Sequence, residues 1–274
     1  MGMTDSPAVD PQLARWQRFR ENRNKALAAE HGWLTLTSFQ WLESTPSPVE
    51  VVPGLWSVAT EGGRTTAVLT AGADQGLVFA DSGDPVDGTY TAELADEESL
   101  DWVLYGTVLV ELAVRGDRYA IRTRDSASPT LTGFTGVPVF DYAPEWVIDA
   151  RWEPYPEPRD VPIATANPLV DGVHRSAGEV VFRRHGHEYR LQAEQGSLGG
   201  LTITFHDETN GRTTDDWRKV ETPRPRPDGS VVLDFNRAIN YPSAFTAYGT
   251  CPMPVRGNSL DLAVEAGEKT PESA

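Results

Sequence analysis

The feature that most constrains the fold is the frequent occurrence of the turn-forming residues Gly and Pro along the chain. Of 274 residues, 24 are Gly and 21 are Pro, and beyond the N-terminal region they separate short apolar runs. These runs are rich in Val, Thr, Leu and Tyr, and several alternate between apolar and polar positions, which is typical of β-strands. The sequence therefore predicts a mainly β protein.

Two β-hairpins are the clearest local predictions. Val108–Val114 and Tyr119–Thr123 flank a Gly116-Asp117 pair, which suits a tight two-residue turn. A second hairpin is predicted around His185-Gly186-His187, with Glu179–Arg184 and Glu188–Ala193 as its strands. The other predicted strands are Leu55–Thr60, Thr65–Thr70, Gly76–Ala80, Gly199–His206 and Val231–Phe235.

The first element is predicted to be a helix. Asp10 is suited to cap it, Pro11 suits the first helical position, and Gly32 is expected to end it. Trp16, Phe19 and Leu27 follow with helical spacing and define the packed side. After this helix the period changes to that of strands, and Ser38–Glu43 is predicted to form one short helical turn.

The predicted fold class is an N-terminal helix followed by antiparallel β-sandwich or barrel-like lobes. A Pro-rich segment at 151–168 contains five prolines, so it is predicted to be an extended crossing that cannot form a central strand. The predicted organisation is a tail and helix at 1–32, a first β lobe at 33–150, the crossing at 151–168, a second β lobe at 169–268 and a tail at 269–274.

Charge and composition exclude several classes of protein. The chain has 40 acidic and 24 basic residues, a formal net charge of -16, which excludes nucleic-acid binding through a basic face. No apolar run approaches the ~18 residues of a membrane span, so no membrane partner is predicted. Cys251 is the single cysteine, so an intramolecular disulfide is impossible. The first residues lack the pattern of a signal peptide, and a cytoplasmic location is expected.

Motifs that define common active sites are missing from the sequence. It has no Gly-x-Ser-x-Gly, no phosphate-binding Gly-x-x-x-x-Gly-Lys, no His-Glu-x-x-His and no Cys-x-x-Cys. His185 and His187 lie at a predicted hairpin tip, where polar residues are expected without a metal. We therefore predict no metal and no cofactor, and we interpret Cys251 as a buried structural thiol.

Two polar stretches on predicted strands are the candidate binding residues. Asp234, Asn236, Arg237 and Asn240 fall within seven positions, so they require turn bonds, a buried network or a ligand. Arg122 and Asp125 lie in the other stretch, where an Arg beside a carboxylate either binds a ligand anion or pairs internally; internal pairing is favoured.

A wider combination of residues points to a family. Its parts are Gly116–Asp125, Leu233–Phe245, Cys251-Pro252 with Ala266-Gly267-Glu268, and the N-terminal Trp16, Arg20 and Gly32-Trp33-Leu34. With these parts the chain resembles the bacterial and archaeal domain-of-unknown-function family 1684 over nearly its whole length. Tyr241 and Ser243 stand where that family usually has Pro and Cys, so a thiol at position 243 is not essential to any activity retained here. The resemblance implies no reaction.

The leading functional hypothesis is binding of a small polar or anionic ligand near residues 234–251. Arg122, Asp125, Asp234, Asn236, Arg237, Asn240 and Tyr248 are its candidate ligand-binding residues, because ligand sites combine aromatic walls with a few polar anchors. One alternative is a hydrolase or isomerase that uses Asp234 or Asp125 as general base. Another is a peptide-interaction module. A turn network without a ligand also stays open, and the sequence contains no signal for oligomeric state.

Overall fold

In a computed structural model of the chain, residues 10–272 are described. They form two compact units: the first comprises 10–26, 135–244 and 251–272, and the second comprises 27–134 and 245–250. These bounds differ from those of the predicted lobes. The predicted tail residues 1–9 and the last two residues of the chain lie outside the described residues.

The chain is mainly β, as predicted, and its three antiparallel sheets are all open rather than barrel-like within the described range. The helices are α1 (Pro11–Leu27) and α2 (Pro129–Thr132). The strands are β1 (Leu36–Trp41), β2 (Ser47–Val49), β3 (Val52–Glu61), β4 (Arg64–Ala71), β5 (Val78–Phe79), β6 (Gly88–Ala92), β7 (Ser99–Tyr105), β8 (Val108–Arg115), β9 (Arg118–Asp125), β10 (Val147–Ile163), β11 (Gly172–Arg184), β12 (His187–Gln195), β13 (Leu201–Phe205), β14 (Arg218–Thr222), β15 (Ser230–Asp234) and β16 (Ile239–Asn240).

The predicted helix starts where its capping residues place it. The Asp10 carboxylate accepts a hydrogen bond from the backbone N–H of Gln12 at 2.9 Å, and Pro11 takes the first helical position. The helix ends at Leu27, one turn before Gly32, which the sequence analysis expected to end it.

The second unit is a β-sandwich. Its five-stranded sheet has the order β1-β9-β8-β7-β5, and its four-stranded sheet has the order β2-β3-β4-β6. Side chains from both sheets form one core, in which Trp56 and Leu69 of the smaller sheet pack with Val110 and Ile121 of the larger. Burial alternates along β4 of the smaller sheet, whereas β8 and β9 of the larger sheet are buried along nearly their whole length.

The β8–β9 hairpin confirms the clearest local prediction. Gly116 and Asp117 both have positive φ, 59° and 58°, which a two-residue hairpin turn of this type requires. The helical turn predicted for Ser38–Glu43 is wrong. Ser38–Trp41 instead belong to β1 and pair with β9, so pairing with a distant strand decides the conformation of this segment.

The first unit is built on a seven-stranded sheet of order β15-β10-β11-β12-β13-β14-β16. Strand β10 runs through most of the segment predicted as a Pro-rich crossing, but only Arg151 of that segment is paired with strands on both sides. β15 pairs only with Val147–Arg151, and the pairing with β11 shifts register between Pro154 and Arg159. The prolines therefore occupy a bulge and a one-sided edge, where a missing N–H is tolerated.

The C-terminal segment 251–272 contains no strand in the described part of the chain, and a buried arginine satisfies its backbone. Arg218 is 0% exposed; its guanidinium donates to the backbone carbonyls of Val264, Ala266 and Glu268 at 3.0, 2.6 and 3.1 Å. It also forms a salt bridge with the buried Asp207 at 2.8 Å. Arg218 on β14 thus joins the last part of the segment to the sheet, while the Asn258 amide joins its middle part to the backbone carbonyls of Gln192 and Thr204 at 2.9 Å.

We predict that Arg218→Met lowers the free energy of unfolding by about 3 to 5 kcal/mol, because it leaves the Asp207 carboxylate buried without a partner. Arg183→Met is the matched control, since Arg183 pairs with Glu188 in an exposed salt bridge and its loss is expected to cost about 0 to 1 kcal/mol. Urea unfolding followed by tryptophan fluorescence measures both. Equal destabilisation by the two substitutions would contradict the assigned role of Arg218.

Candidate functional site

A cavity of about 700 Å³ opens on the first unit, over the paired strands β10 and β15. It is lined by α1, by the segment before β10, by the two strands and by the turn that follows β15. The lining residues are Gln12, Arg15, Trp16, Tyr142, Pro144, Val147, Asp149, Val232, Asp234 and Arg237.

The floor of the cavity is one face of the β10–β15 pair. Val147 pairs with Asp234 and Asp149 with Val232, so these four side chains share a face. Ile148 and Leu233, on the alternate positions, pack into the hydrophobic core on the other face. Ile148 and Leu233 thus hold the strand pair against the core, and Asp149 and Asp234 place two carboxylates on the floor of the cavity.

Helix α1 and the segment before β10 form an aromatic wall. The rings of Trp16 and Tyr142 lie 5.8 Å apart, at an interplanar angle of 46°. The Trp16 indole N–H donates to the backbone carbonyl of Asn236 at 2.9 Å, and the Tyr142 hydroxyl donates to Gln12 Oε1 at 3.0 Å. Both rings are held by hydrogen bonds at their polar ends, so their faces remain available for stacking.

Asp234 is the half-buried carboxylate of the floor. Its Oδ1 accepts hydrogen bonds from the backbone N–H and from the side-chain amide of Asn236, at 3.1 and 3.0 Å. Burial raises the pKa of Asp234 above its ordinary value, although the Asn236 bonds and the charge of Arg237 act in the opposite direction. Burial, with the charges of Asp234 and Asp10, also raises the pKa of Tyr142.

Arg15 and Arg237 supply the positive charge of the cavity. Both are exposed, and neither forms a salt bridge or hydrogen bond with a described residue. Arg237 stacks over the Phe19 ring with its guanidinium carbon 4.5 Å from the ring centroid. Gly267 packs closely against the turn that carries Arg237. The φ of Gly267 is +80°, and a Cβ on this residue would lie 2.5 Å from the carbonyl oxygen of Ala238, so only glycine fits at this position.

Asn236 and Asn240, both predicted ligand contacts, are committed to the protein itself. Asn236 exchanges two hydrogen bonds of 2.9 Å with the backbone of Ala143. The Asn240 backbone N–H donates to Glu268 at 2.7 Å, and its amide donates to the carbonyl of Lys269 at 2.8 Å. Of the predicted residues of the polar stretch, only Asp234 and Arg237 line the cavity.

The other predicted contacts belong to the second unit. Arg122 is buried, pairs with Glu111 at 3.1 Å and donates to Thr250 Oγ1 at 3.1 Å, which is the internal pairing that the sequence favours. Burial by itself would raise the pKa of Glu111, but Arg124 and Arg122 together hold it below its ordinary value. Asp125 accepts hydrogen bonds from Thr107 and from the backbone of Ala127, and Tyr248 is partly exposed.

Sequence reasoning missed eight of the ten lining residues, among them the charged Arg15 and Asp149 and the aromatic Trp16 and Tyr142. Trp16 was assigned to the packed side of the helix. An acidic residue amid Val147–Ala150 was a usable signal for Asp149, since charge on an otherwise apolar strand requires an explanation. The prolines that follow concealed this strand.

Within residues 10–272, no three or more His, Cys, Asp or Glu side chains are grouped so that they could hold a metal ion. No helix in the same range combines the length and the apolar character needed to cross a membrane.

Comparison with known proteins gives a family and one partial structural likeness. The family model described as "Protein of unknown function (DUF1684)" matches residues 132–269, half of the chain. A solution NMR structure of an uncharacterized protein from Haloarcula marismortui is 27% identical, with a TM-score of 0.43, over 52% of this chain and 81% of that chain. No curated protein matches the chain. The family match confirms the resemblance inferred from sequence, although Trp16, Arg20 and Gly116–Asp125 lie outside the matched residues.

The raised pKa of Asp234 predicts how stability varies with pH. The folded chain binds this proton more tightly than the unfolded chain, so stability is lost as pH rises from the ordinary value of 3.8 through the raised pKa. Asp234→Asn keeps an oxygen that accepts from Asn236 and removes the charge. We expect the variant to gain stability relative to the original protein over that pH interval and to keep a constant difference above it.

Urea unfolding of both proteins at a series of pH values from about 4 to 8 measures this difference. A difference that stays constant over the whole series would contradict the assigned environment of Asp234.

Proposed function

The chain belongs to the DUF1684 family of proteins of unknown function, and we propose that it binds a small acidic ligand in the cavity of its first unit. The ligand carries an anionic group and a ring. The proposal keeps the ligand class that the sequence indicated, but it moves the site to a cavity that shares only Asp234 and Arg237 with the predicted residues.

The observation that carries the proposal is a pair of guanidinium groups, those of Arg15 and Arg237, that line the cavity and form no salt bridge or hydrogen bond with a described residue. Three other arginines of this unit are used within the fold: Arg20 and Arg23 pair with Glu268, and Arg218 pairs with Asp207. Arg15 and Arg237 have no such partner among the described residues, yet both line one cavity. Guanidinium groups bind carboxylate and phosphate with paired, directional hydrogen bonds, so an anion is the complementary ligand.

The size and the walls of the cavity support a ring-containing ligand. A volume of about 700 Å³ lies within the range of small-molecule sites, which is roughly 300 to 1,000 Å³. Trp16 and Tyr142 provide ring faces for stacking, and Val147 and Val232 provide apolar contact beneath. The two floor carboxylates accept hydrogen bonds, so hydroxyl groups on the ring are favoured.

We predict that the Arg15→Gln/Arg237→Gln double variant weakens binding of an acidic ring ligand by at least about tenfold, because two charge-assisted hydrogen bonds are lost. The probes are sodium glucuronate and glucose 6-phosphate, with glucose as the neutral counterpart, and the measurement is isothermal titration calorimetry.

Arg18→Gln is the matched control, since Arg18 lies on the same helix, is exposed and does not line the cavity. The control is expected to bind like the original protein. Equal affinity for glucose and for both acidic probes, or equal loss in the control, would overturn the proposal.

A further inference from the structure

We infer that Asp234 and Asp149 form an acid–base pair that hydrolyses the glycosidic bond of an acidic sugar. This inference rests on the proposed function, because the sugar is the ligand held by Arg15 and Arg237. It adds a reaction, a substrate class and a role for each floor carboxylate.

The first step of the argument is the spacing of the two carboxylates. Val147 pairs with Asp234 and Asp149 with Val232, so the two aspartates are diagonal neighbours on the same face of an antiparallel pair. Such neighbours have Cα atoms about 7 to 8 Å apart. Carboxyl groups of glycosidases that invert configuration are separated by about 6.5 to 9.5 Å, which leaves room for a water molecule. Each carboxyl group lies one methylene beyond its Cα on the same face, so a Cα spacing of about 7 to 8 Å allows the two carboxyl groups to lie within that range.

The second step is that the two carboxylates have different environments. Asn236 bonds only to Oδ1 of Asp234, and no described residue bonds to Oδ2, so Oδ2 has no protein partner in a side chain that lines the cavity. Burial raises the pKa of Asp234, so this carboxyl stays protonated to a higher pH than an ordinary aspartate. Asp149 is exposed to solvent on the same floor, without a hydrogen-bond donor among the described residues.

These environments assign the two roles. Oδ2 of Asp234 gives its proton to the glycosidic oxygen as the bond from that oxygen to the anomeric carbon breaks. A water molecule bonds to the anomeric carbon from the opposite side and gives a proton to the Asp149 carboxylate. Proton exchange with solvent then restores both groups. The products are two hydroxyl compounds, nothing is oxidised or reduced, and the anomeric configuration is inverted.

The charge of the cavity selects the sugar. Arg15 and Arg237 lie along the same cavity as the two aspartates, so a sugar stacked on Trp16 or Tyr142 can place an anionic substituent at the guanidinium groups. A neutral sugar leaves those groups without that bond. Uronic acid glycosides are therefore expected to react faster than the corresponding neutral glycosides.

The test uses the full chain with 4-nitrophenyl α- and β-glucuronides and galacturonides, each paired with its neutral glucoside or galactoside. We expect nitrophenol release from a uronide, with at least a tenfold preference over the neutral partner. Asp149→Asn is expected to reduce the rate by about 10²-fold or more. Asp234→Asn is expected to reduce the rate by about 10²-fold with a phenyl uronide, whose leaving group needs the proton, and by less with the nitrophenyl uronide. Asp171→Asn, an exposed residue that does not line the cavity, is expected to leave the rate unchanged.

Two additional measurements separate catalysis from folding and from binding. Sodium azide, a nucleophile that needs no general base, is expected to restore nitrophenol release in Asp149→Asn. Binding of glucuronate, measured by calorimetry, is expected to persist in both variants. Binding without turnover of any uronide would overturn the acid–base pair and leave the proposed function intact, whereas absence of binding would overturn both. A rate loss in Asp171→Asn equal to that in the floor variants would also overturn the pair.

Discussion

The buried guanidinium of Arg218 is the interaction on which the first unit depends. The C-terminal segment 251–272 has no strand of its own among the described residues, so its carbonyl groups need donors from elsewhere, and Arg218 supplies three of them. This places Glu268, which is 0% exposed, where its carboxylate accepts from Arg20 at 2.7 Å and from Arg23 at 3.1 Å. The two arginines lie on the helix that carries Arg15 and Trp16. Arg218 thus holds the C-terminal segment, and Glu268 of that segment holds helix α1, which forms one wall of the cavity.

Burying these charged groups carries a large desolvation free energy, and apolar side chains of similar volume could fill the same space at no loss of stability. Apolar packing does not specify the orientation of the packed elements as hydrogen bonds do. Glu268 receives Arg20, Arg23 and the backbone N–H of Asn240 together, so the rotation of helix α1 relative to β16 is specified by hydrogen-bond geometry. Because the cavity is formed between that helix and the strand pair, a small rotation would move Arg15 away from Arg237. We interpret the buried ion pairs as positioning elements for the site.

Local signals were sufficient where local chemistry decides the structure. Asp10 and Pro11 predicted the start of α1, and Gly116-Asp117 predicted the hairpin turn, because each requirement is met within a few residues. Strands β1 and β10 were not predictable in the same way: β1 exists because it pairs with β9, and β10 tolerates its prolines only where a bulge and a free edge coincide. The candidate site shows the same difference between local and long-range signals. Asp234 and Arg237 were predicted because they lie in a dense polar stretch of the sequence. Arg15 and Tyr142 join them only through long-range packing.

The polar stretch also shows why a turn network and a ligand site are not exclusive alternatives. The side-chain amide of Asn236 bonds to the backbone of Ala143, and Asn240 donates from its backbone N–H to Glu268 and from its amide to Lys269, as in a structural network. The buried Oδ1 of Asn240 has no hydrogen-bond partner among the described residues, and Asn240 does not line the cavity. Asp234 keeps one oxygen and Arg237 keeps its whole guanidinium outside that network. The asparagines rigidly hold the turn, and the turn presents the remaining charged groups to the cavity. The argument for a ligand is therefore that hydrogen-bonding groups at rigid positions are left unused by the fold. The number of polar residues in the stretch is not itself that argument.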